Sequence, residues 1–235
     1  MQEIFKRREK KYLITKEQFF LLEGALLPHT KPDKYGGYWV QNLYYDTKNW
    51  DVIRASMEKP IYKEKMRMRC YNVPNSSSRV FLELKKKYNG MVYKRRVALP
   101  AEAACQLENA MAAETSQIGR ELNFYLQSTE VEEKMYLAYR RIALAGLKDN
   151  LLRITFDSDI HYRLDSLNFN YPGKGQHIAP DYVLMEIKAF TSFPLWLVQI
   201  LSELKIYGTS FSKYANCFTD HLHPHSKREE VKHNA

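Results

Sequence analysis

Apolar and polar residues alternate over short segments along most of this 235-residue chain. A period of two is typical of β-strands that bury one face. Strands are predicted at residues 3–14, 38–47, 60–72, 79–88, 91–100, 134–146, 152–164 and 181–190. Asn89 and Gly90 join two of them, and this dipeptide is typical of the tight turn of a β-hairpin.

Helical periodicity interrupts the strands. Helices are predicted at residues 15–27, 193–208 and, as one or two elements, within 101–126. Thr15 and Gln18 have the spacing of a capping box, which indicates where the first helix begins. Gly208 is expected to end the last one.

No linker divides the chain, and 45% apolar residues suffice for a substantial core. We therefore expect one domain over residues 1–220. Within it, residues 167–180 are predicted to form a loop. The polar tail at residues 221–235 is predicted to be disordered.

The charges of the predicted strands fall mainly on one parity. Within residues 60–72, Lys63, Lys65, Arg67 and Arg69 lie on one face and alternate with Glu64, Met66, Met68 and Cys70 on the other. The charged residues that share this polar parity in other strands are Arg7, Glu9, Lys11, Glu83, Lys85, Lys87, Lys94, Arg96, Arg141, Arg153, Asp157, Glu186 and Lys188. Neighbouring like charges repel each other unless water screens them or an anion lies between them.

A solvated polar face is the ordinary interpretation of one such strand. The recurrence of mostly cationic faces favours strands that close on themselves around a basic, water-filled interior, with their apolar faces against helices outside. An interior of that kind needs a polyanion.

Composition narrows the partners only in part. A formal net charge of +9 favours nucleic acid, an anionic membrane or a phosphate-rich substrate, without choosing among them. Cys70, Cys105 and Cys217 are odd in number and widely spaced, which argues against a disulfide framework or a zinc site. A cytoplasmic location is expected. The longest apolar run, within residues 193–201, is too short to span a bilayer.

An ordered set of motifs resembles the VTC domain, the catalytic domain of polyphosphate polymerases, within the triphosphate tunnel metalloenzymes. In chain order the motifs are FKRREKKYLI, LYYDT, RMR, FLELKKK with KRR, YRR, LRITFD, LMEIK and SFSKYANC. The resemblance covers residues 3–219. It implies an α+β fold in which eight antiparallel strands form a closed barrel, or tunnel, with helices packed outside.

The resemblance also implies the site residues. Catalytic cations are expected at Lys11, Arg67, Arg69, Lys85, Arg141 and Arg153. Further substrate contacts are expected from Lys94, Arg96, Tyr139, Ser212 and Lys213. A divalent metal, Mn²⁺ or Mg²⁺, is expected at Glu186, with Glu83 and Glu9 as further candidate ligands. Many tunnel hydrolases carry a carboxylate where this chain has Arg7.

Phosphoryl transfer depends mainly on positioning and charge neutralisation, which fixed guanidinium and ammonium groups supply. Hydrolysis also needs an oriented water, which extra carboxylates favour, whereas a terminal phosphate is already an ionised acceptor. Arg7 in place of a carboxylate therefore favours transfer of the γ-phosphoryl of ATP to polyphosphate. The alternatives are a tunnel triphosphatase acting on inorganic triphosphate or a nucleoside triphosphate, and a non-catalytic polyphosphate-binding module.

Specific nucleic-acid binding is not expected, because the aromatic residues fall mostly on the apolar parity, where bases could not stack on them. Any membrane anchor would come from a separate partner.

Several other residues have ordinary structural interpretations. The tail histidines, His221, His223 and His225, are expected to be solvated rather than metal-bound. Tyr44, Tyr45 and Asp46 are expected at a strand end and turn, Asp157 and Asp159 beside cations, and Trp196 and Leu197 in the core.

Overall fold

The computed structural model describes residues 8–102 and 106–222. Arg7, Cys105, His223 and His225 lie outside these ranges, as do most of the predicted disordered tail and the start of the first predicted strand. The predictions made for them remain predictions.

Within the described ranges the chain forms an antiparallel sheet with helices, which confirms the α+β class. The strands are β1 (Arg8–Thr15), β2 (Thr30–Asp46), β3 (Tyr62–Tyr71), β4 (Arg79–Tyr88), β5 (Met91–Pro100), β6 (Glu132–Gly146), β7 (Arg153–Arg163), β8 (Gln176–Ile178) and β9 (Tyr182–Ala189). The helices are α1 (Lys16–Leu26), α2 (Asp51–Met57), α3 (Leu107–Ala112), α4 (Gln117–Ser128), α5 (Leu195–Glu203) and α6 (Lys213–Leu222).

The hydrogen-bonded strand order corrects the expectation of a closed barrel. The order is β1-β9-β7-β6-β2-β3-β4-β5, with β8 paired to β7, so β1 and β5 are the two ends of the ladder among the described residues. At one end the outer edge of β1 is already occupied. Lys11 forms a bridge with Thr209, whose backbone N–H donates to the Lys11 carbonyl at 2.7 Å.

The structure confirms the predicted helix cap at Thr15, the predicted turn at Asn89 and Gly90, and the predicted strand end at Asp46. The Thr15 hydroxyl accepts from the Gln18 N–H at 3.2 Å, and the Gln18 side chain accepts from the Thr15 N–H at 3.1 Å, so the predicted capping box begins α1. Asn89 and Gly90 have φ of 44° and 82°, as a tight β4–β5 turn requires. β2 ends at Asp46, as predicted.

The predicted end of the last helix at Gly208 was wrong. α5 ends at Glu203, because Lys205 takes a left-handed φ of 51° without a glycine and Ile206 donates its N–H to the Leu201 carbonyl at 2.8 Å. The pattern also missed α2 and α6, and β8 lies inside the predicted loop. His221, predicted to be in the tail, lies in the last turn of α6.

The chain divides into two compact units, each assembled from three separate segments. The first unit comprises residues up to Tyr38, Tyr139–Ile160 and Ala179–Ser212. The second comprises Trp39–Ala138, His161–Ile178 and the residues from Lys213 onward. No described helix is long and apolar enough to cross a membrane.

Each unit has its own core, built from the apolar parity of its strands. In the first unit Ile154 and Ile187 pack with residues of α1 and α5. Leu197 is fully buried in this core and Trp196 packs against it, as predicted. In the second unit Met66 and Leu82 lie in a core with residues of α3 and α4. With these faces buried, the opposite, charged faces of the strands carry the chemistry.

Asp46 ties the end of β2 to two helices of the second unit. Its carboxylate is fully buried and accepts from the N–H groups of Val52 and Ile53 at 2.9 and 3.0 Å and from the Tyr214 hydroxyl at 2.8 Å. These contacts cap α2, whose N-cap residue Trp50 provides no side-chain bond. The Tyr214 ring of α6 also stacks on Tyr44, at 4.2 Å between centroids.

We expect Asp46→Ala to lower the free energy of unfolding by about 3 kcal/mol, because several buried donors lose their acceptor at once. Asp46→Asn, which keeps one carbonyl oxygen, should lose less. Urea unfolding followed by circular dichroism measures both. Asp181→Ala, at an exposed carboxylate, is the control and should change stability by less than about 0.5 kcal/mol. Equal effects of the Asp46 and Asp181 substitutions would contradict this role.

Candidate functional site

Five charged side chains meet on the polar face of β3, β4 and β5 in the second unit. The strand register places Arg67 opposite Glu83, and Glu83 opposite Arg96. Arg67 and Arg96 each approach the Glu83 carboxylate through two nitrogens, at 2.7 to 2.9 Å. Lys94 lies 2.6 Å from it and Arg69 3.9 Å. We call these residues the Glu83 cluster.

The Glu83 cluster has more positive than negative charge. Burial alone would raise the pKa of Glu83, which is only 2% exposed, but the charges of Arg67 and Arg69 and the contact with Lys94 lower it to about 2. The carboxylate is therefore ionised at neutral pH. Four cations against one anion leave three positive charges in excess. The side chains of Lys94 and Arg96 are 45% and 36% exposed, so this charge is accessible to a ligand.

Neighbouring residues hold two of the guanidinium groups in place. Arg69 donates to the Asn42 side chain at 3.0 Å, and Asn42 donates in turn to the Leu137 carbonyl at 3.1 Å. Arg96 lies over the Phe81 ring, 4.0 Å from its centroid. Sequence reasoning missed Asn42 and Phe81, although Asn42 directly precedes the LYYDT motif and Phe81 is the first residue of FLELKKK.

A second row of cations follows the Glu83 cluster along the same strands. Lys65, Lys85 and Lys94 are paired across β3, β4 and β5, one alternation beyond the row of Glu83. The Lys65 ammonium lies 5.7 Å from the centroid of the Tyr214 ring in α6. Lys213, also predicted to bind substrate, is the first residue of α6.

In the first unit, two carboxylates face one ammonium group. The Lys188 Nζ lies 2.8 Å from Glu186 and 3.7 Å from Glu9. The register of β1 and β9 pairs Glu9 with Lys188 and Lys11 with Glu186. Burial opposes ionisation of Glu186, but the charges of Lys188 and Lys11 and a contact with Glu9 lower its pKa below the usual value. We call these four residues the Glu186 cluster.

Sequence reasoning named three members of the Glu186 cluster but did not assign Lys188 to the site. The signal was present, because Lys188 follows Glu186 by two residues and so shares its strand face. Lys11 is also fixed from the other side, since its ammonium donates to the Phe211 carbonyl at 3.0 Å.

Arg141 forms a bidentate pair with Asp157, which confirms the predicted pairing of this aspartate. The two contacts measure 2.6 and 2.7 Å, and Asp157 is fully buried. Arg141 also lies over the Tyr139 ring, at 5.2 Å. Burial disfavours the charged guanidinium, but Tyr139 and Asp157 raise the pKa of Arg141 above its ordinary value.

The other predicted residues of the first unit lie farther toward solvent. The Arg153 side chain is 52% exposed and pairs with Asp33 at 3.2 Å. Ser212 is half-buried just before α6. All the residues predicted for the site lie within the ranges that the structure describes, and each unit contains seven of them.

The Glu186 cluster fits a hard divalent cation better than the Glu83 cluster does. Mg²⁺ and Mn²⁺ are bound in such sites by one or two carboxylates, with the remaining ligands supplied by water and substrate phosphates. Glu9 and Glu186 both contact the Lys188 ammonium, so their carboxylates lie close enough to share one positive charge. No group of three or more His, Cys, Asp or Glu side chains suited to a metal occurs in the part of the chain that the structure describes.

Two solved structures share this fold. A protein from Pyrococcus horikoshii, PH1819, is 15% identical with a TM-score of 0.52, and the match covers 92% of this chain and 97% of that one. A putative adenylyl cyclase from Hippeastrum, HpAC1, reported to have a dominant triphosphatase activity, is 18% identical with a TM-score of 0.52, over 88% and 92% of the two chains. Comparison with curated protein sequences found no match.

The family comparison covers nearly the whole chain. The model of the VTC domain matches residues 6–220, a range that includes both clusters and, apart from Phe5, all the motifs from which the resemblance was drawn. The chain therefore belongs to the VTC domain family.

Proposed function

We propose that this protein is a metal-dependent phosphotransferase that moves the γ-phosphoryl group of ATP onto a polyphosphate chain. The observation that carries the proposal is the Glu83 cluster, in which four cations surround one carboxylate. In the reaction, a terminal polyphosphate oxygen bonds to the γ-phosphorus while the bond from that phosphorus to the bridging oxygen breaks, and ADP leaves.

The arrangement of the Glu83 cluster suits a chain of phosphates. Guanidinium groups grip phosphate through two parallel hydrogen bonds, and ammonium groups act as point charges. Glu83 lies between Arg67 and Arg96 and accepts hydrogen bonds from both, so these cations are positioned before a substrate binds. Preorganised charge of this kind stabilises the negative equatorial oxygens of the transition state.

The remaining predicted cations are assigned to the same chemistry. We assign Lys85 and Lys94, in the second row, to neighbouring phosphates of a long substrate. Lys11, Arg141 and Arg153 of the first unit are assigned to phosphate oxygens as well. Tyr139, Ser212 and Lys213 are assigned to substrate contacts that orient the chain.

Glu186 and Glu9 would hold the divalent metal, Mn²⁺ or Mg²⁺. When bound, this ion neutralises phosphate charge and orients the oxygens that it contacts. Lys188 would then release Glu186 and become available to phosphate. Glu83 is assigned to positioning the surrounding cations rather than to the metal, because both of its oxygens already accept from cationic groups.

Triphosphate hydrolysis is the second candidate. It is favoured by the structural similarity to HpAC1, for which a dominant triphosphatase activity is reported. Membership of the VTC family supports transfer instead, because the family resemblance implies polymerase chemistry. A module that binds polyphosphate without turning it over is the third candidate.

The decisive assay incubates the full chain with ATP and Mn²⁺ and separates the products by gel electrophoresis. A phosphate polymer together with ADP is the expected result. Arg67→Ala should reduce polymer formation by about a hundredfold, because it removes a fixed donor to transition-state charge. Arg54→Ala, an exposed arginine of α2, is the matched control and should keep full activity. ADP and inorganic phosphate without polymer would establish the triphosphatase instead.

Glu186→Gln should weaken Mn²⁺ binding by about tenfold or more, since an amide replaces a charged ligand. Mn²⁺ titration followed by electron paramagnetic resonance, in the presence of a non-hydrolysable ATP analogue, measures binding without turnover. Glu203→Gln, at the exposed end of α5, is the control. Unchanged Mn²⁺ affinity in the Glu186 variant would remove this residue from the metal site.

Glu83→Gln should lower stability by about 3 kcal/mol at pH 7, because the four cations lose their counter-ion. The pKa of Glu83 is lowered to about 2, so its stabilising effect is complete above the ordinary glutamate range and is lost as the pH falls toward 2. The difference between wild type and variant should therefore shrink below about pH 5.

The melting temperatures of the wild type and the Glu83 variant are also compared with and without inorganic triphosphate. It should raise the melting temperature of the Glu83 variant more than that of the wild type, because the variant has a larger excess of positive charge. Glu132→Gln, at an exposed carboxylate, is the control for both measurements. A pH-independent stability difference would mean that the charge of Glu83 does not stabilise the cluster.

A further inference from the structure

Large apolar side chains remain exposed at the turn of the β4–β5 hairpin and at the adjacent start of β3. Their exposed fractions lie between 41% and 72%. They are Ile61, Tyr62, Tyr88, Met91, Val92 and Tyr93, and we call them the hairpin tip. The register brings them together, since Tyr88 pairs with both Tyr62 and Met91, and the Asn89 N–H donates to the Ile61 carbonyl at 3.0 Å.

The hairpin tip is exposed because helix α4 covers only part of the apolar face. Where the cover ends, Lys86 contacts Glu64 and Glu121 at 3.3 and 2.8 Å, and Arg95 contacts Glu121 at 2.9 Å. These ion pairs close the core of the second unit. Tyr62, Tyr88, Met91 and Tyr93 continue the same strand face beyond them, whereas Val92 lies on the opposite face.

Three lysines lie beside the hairpin tip. Lys63 and Lys87 are directly opposite each other on β3 and β4. Lys59 is exposed in the segment between α2 and β3, four residues before Lys63. Like charges in direct cross-strand pairs are destabilising, so the arrangement favours an anionic partner. We call Lys59, Lys63 and Lys87 the tip lysines.

The combination of apolar and cationic side chains selects among possible partners. Free polyphosphate would neutralise the tip lysines but leave the tyrosines and Met91 in water. A second copy of this chain in a symmetric contact would bring identical lysines together. An anionic bilayer satisfies both parts, since tyrosine prefers the headgroup region and lysine binds lipid phosphates.

We propose that the hairpin tip and the tip lysines dock this protein onto an anionic membrane surface. Ile61, Tyr88 and Met91 enter the boundary between headgroups and acyl chains, and the ammonium groups of the tip lysines contact lipid phosphates. The contact is peripheral and reversible, and it uses none of the residues assigned to phosphate or to the metal, although Lys63 and Lys87 lie on the same strand face as Lys65 and Lys85.

Vesicle co-sedimentation of the full chain tests the proposal. Binding is expected to vesicles of phosphatidylcholine mixed with phosphatidylglycerol, and not to vesicles of phosphatidylcholine alone. Lys63→Glu combined with Lys87→Glu should weaken binding by about tenfold or more, and added salt should mimic the effect. Tyr88→Ser combined with Met91→Ser should weaken it at every salt concentration. Lys87, Tyr88 and Met91 are exposed on the hairpin, and Lys63 is half-buried on β3, where it donates to the Ser56 carbonyl at 3.0 Å. Thermal unfolding checks that both double variants fold.

Matched controls come from the same unit. Lys48→Glu reverses an exposed lysine, and Phe124→Ser removes a side chain that is 71% exposed on α4. Neither should alter vesicle binding. In Tyr88→Trp, quenching of the new fluorescence by brominated acyl chains should report insertion.

Three results would overturn the proposal. The first is vesicle binding that the tip variants share equally with the wild type, and the second is the absence of binding to anionic vesicles. The third is self-association in sedimentation velocity that is lost in the Tyr88 and Met91 variant without any vesicle binding, which would assign the hairpin tip to a second copy of the chain.

Discussion

The contact on which the charged face of the second unit depends is the one between a buried carboxylate and the cations around it. Strands that bury one face and crowd lysine and arginine on the other are destabilised by repulsion within and between strands. Glu83 offsets this by accepting from Arg67 and Arg96 on either side. A single acidic residue in the central strand of three thus allows the basic residues of its neighbours to lie close together.

The first unit uses the same principle in a different form. Asp157 is matched to one cation, Arg141, whereas Glu186 and Glu9 share Lys188. Glu83, Asp157 and Glu186 are each less exposed than their cationic partners, so in these pairs the positive group is the one a ligand meets first. Glu9, at 41%, is about as exposed as Lys188. The buried acids set the geometry, and the cations provide the surface that reacts to a ligand.

Sequence periodicity predicted what depends on one strand at a time. The alternation around Arg67 and Glu83 placed both on the polar face, and the capping box at Thr15 fixed the start of α1. Closure of the sheet could not be predicted in this way, because it depends on which segment pairs with the edge of β1, and Thr209 takes that place. Helix α2 is too short to show a helical period, and its cap comes from Asp46, outside the helix itself.

The same limit applies to the candidate site. Parity and family motifs treat Arg96, Arg141 and Arg153 as equivalent cations, but their surroundings make them unequal. Arg141 gives two of its donors to a fully buried Asp157 and keeps only 16% of its side chain exposed, so it is better suited to fixing one oxygen than to exchanging partners. Arg153 is half exposed and holds a surface pair that water screens, which costs little to break. Arg96 lies between these extremes, since it is partly exposed yet held by Glu83 and the Phe81 ring. Of the three, Arg153 therefore holds the ion pair that costs least to break, and Arg96 is the partly exposed cation whose position is already fixed. That ranking follows from three-dimensional burial, which a one-dimensional pattern does not contain.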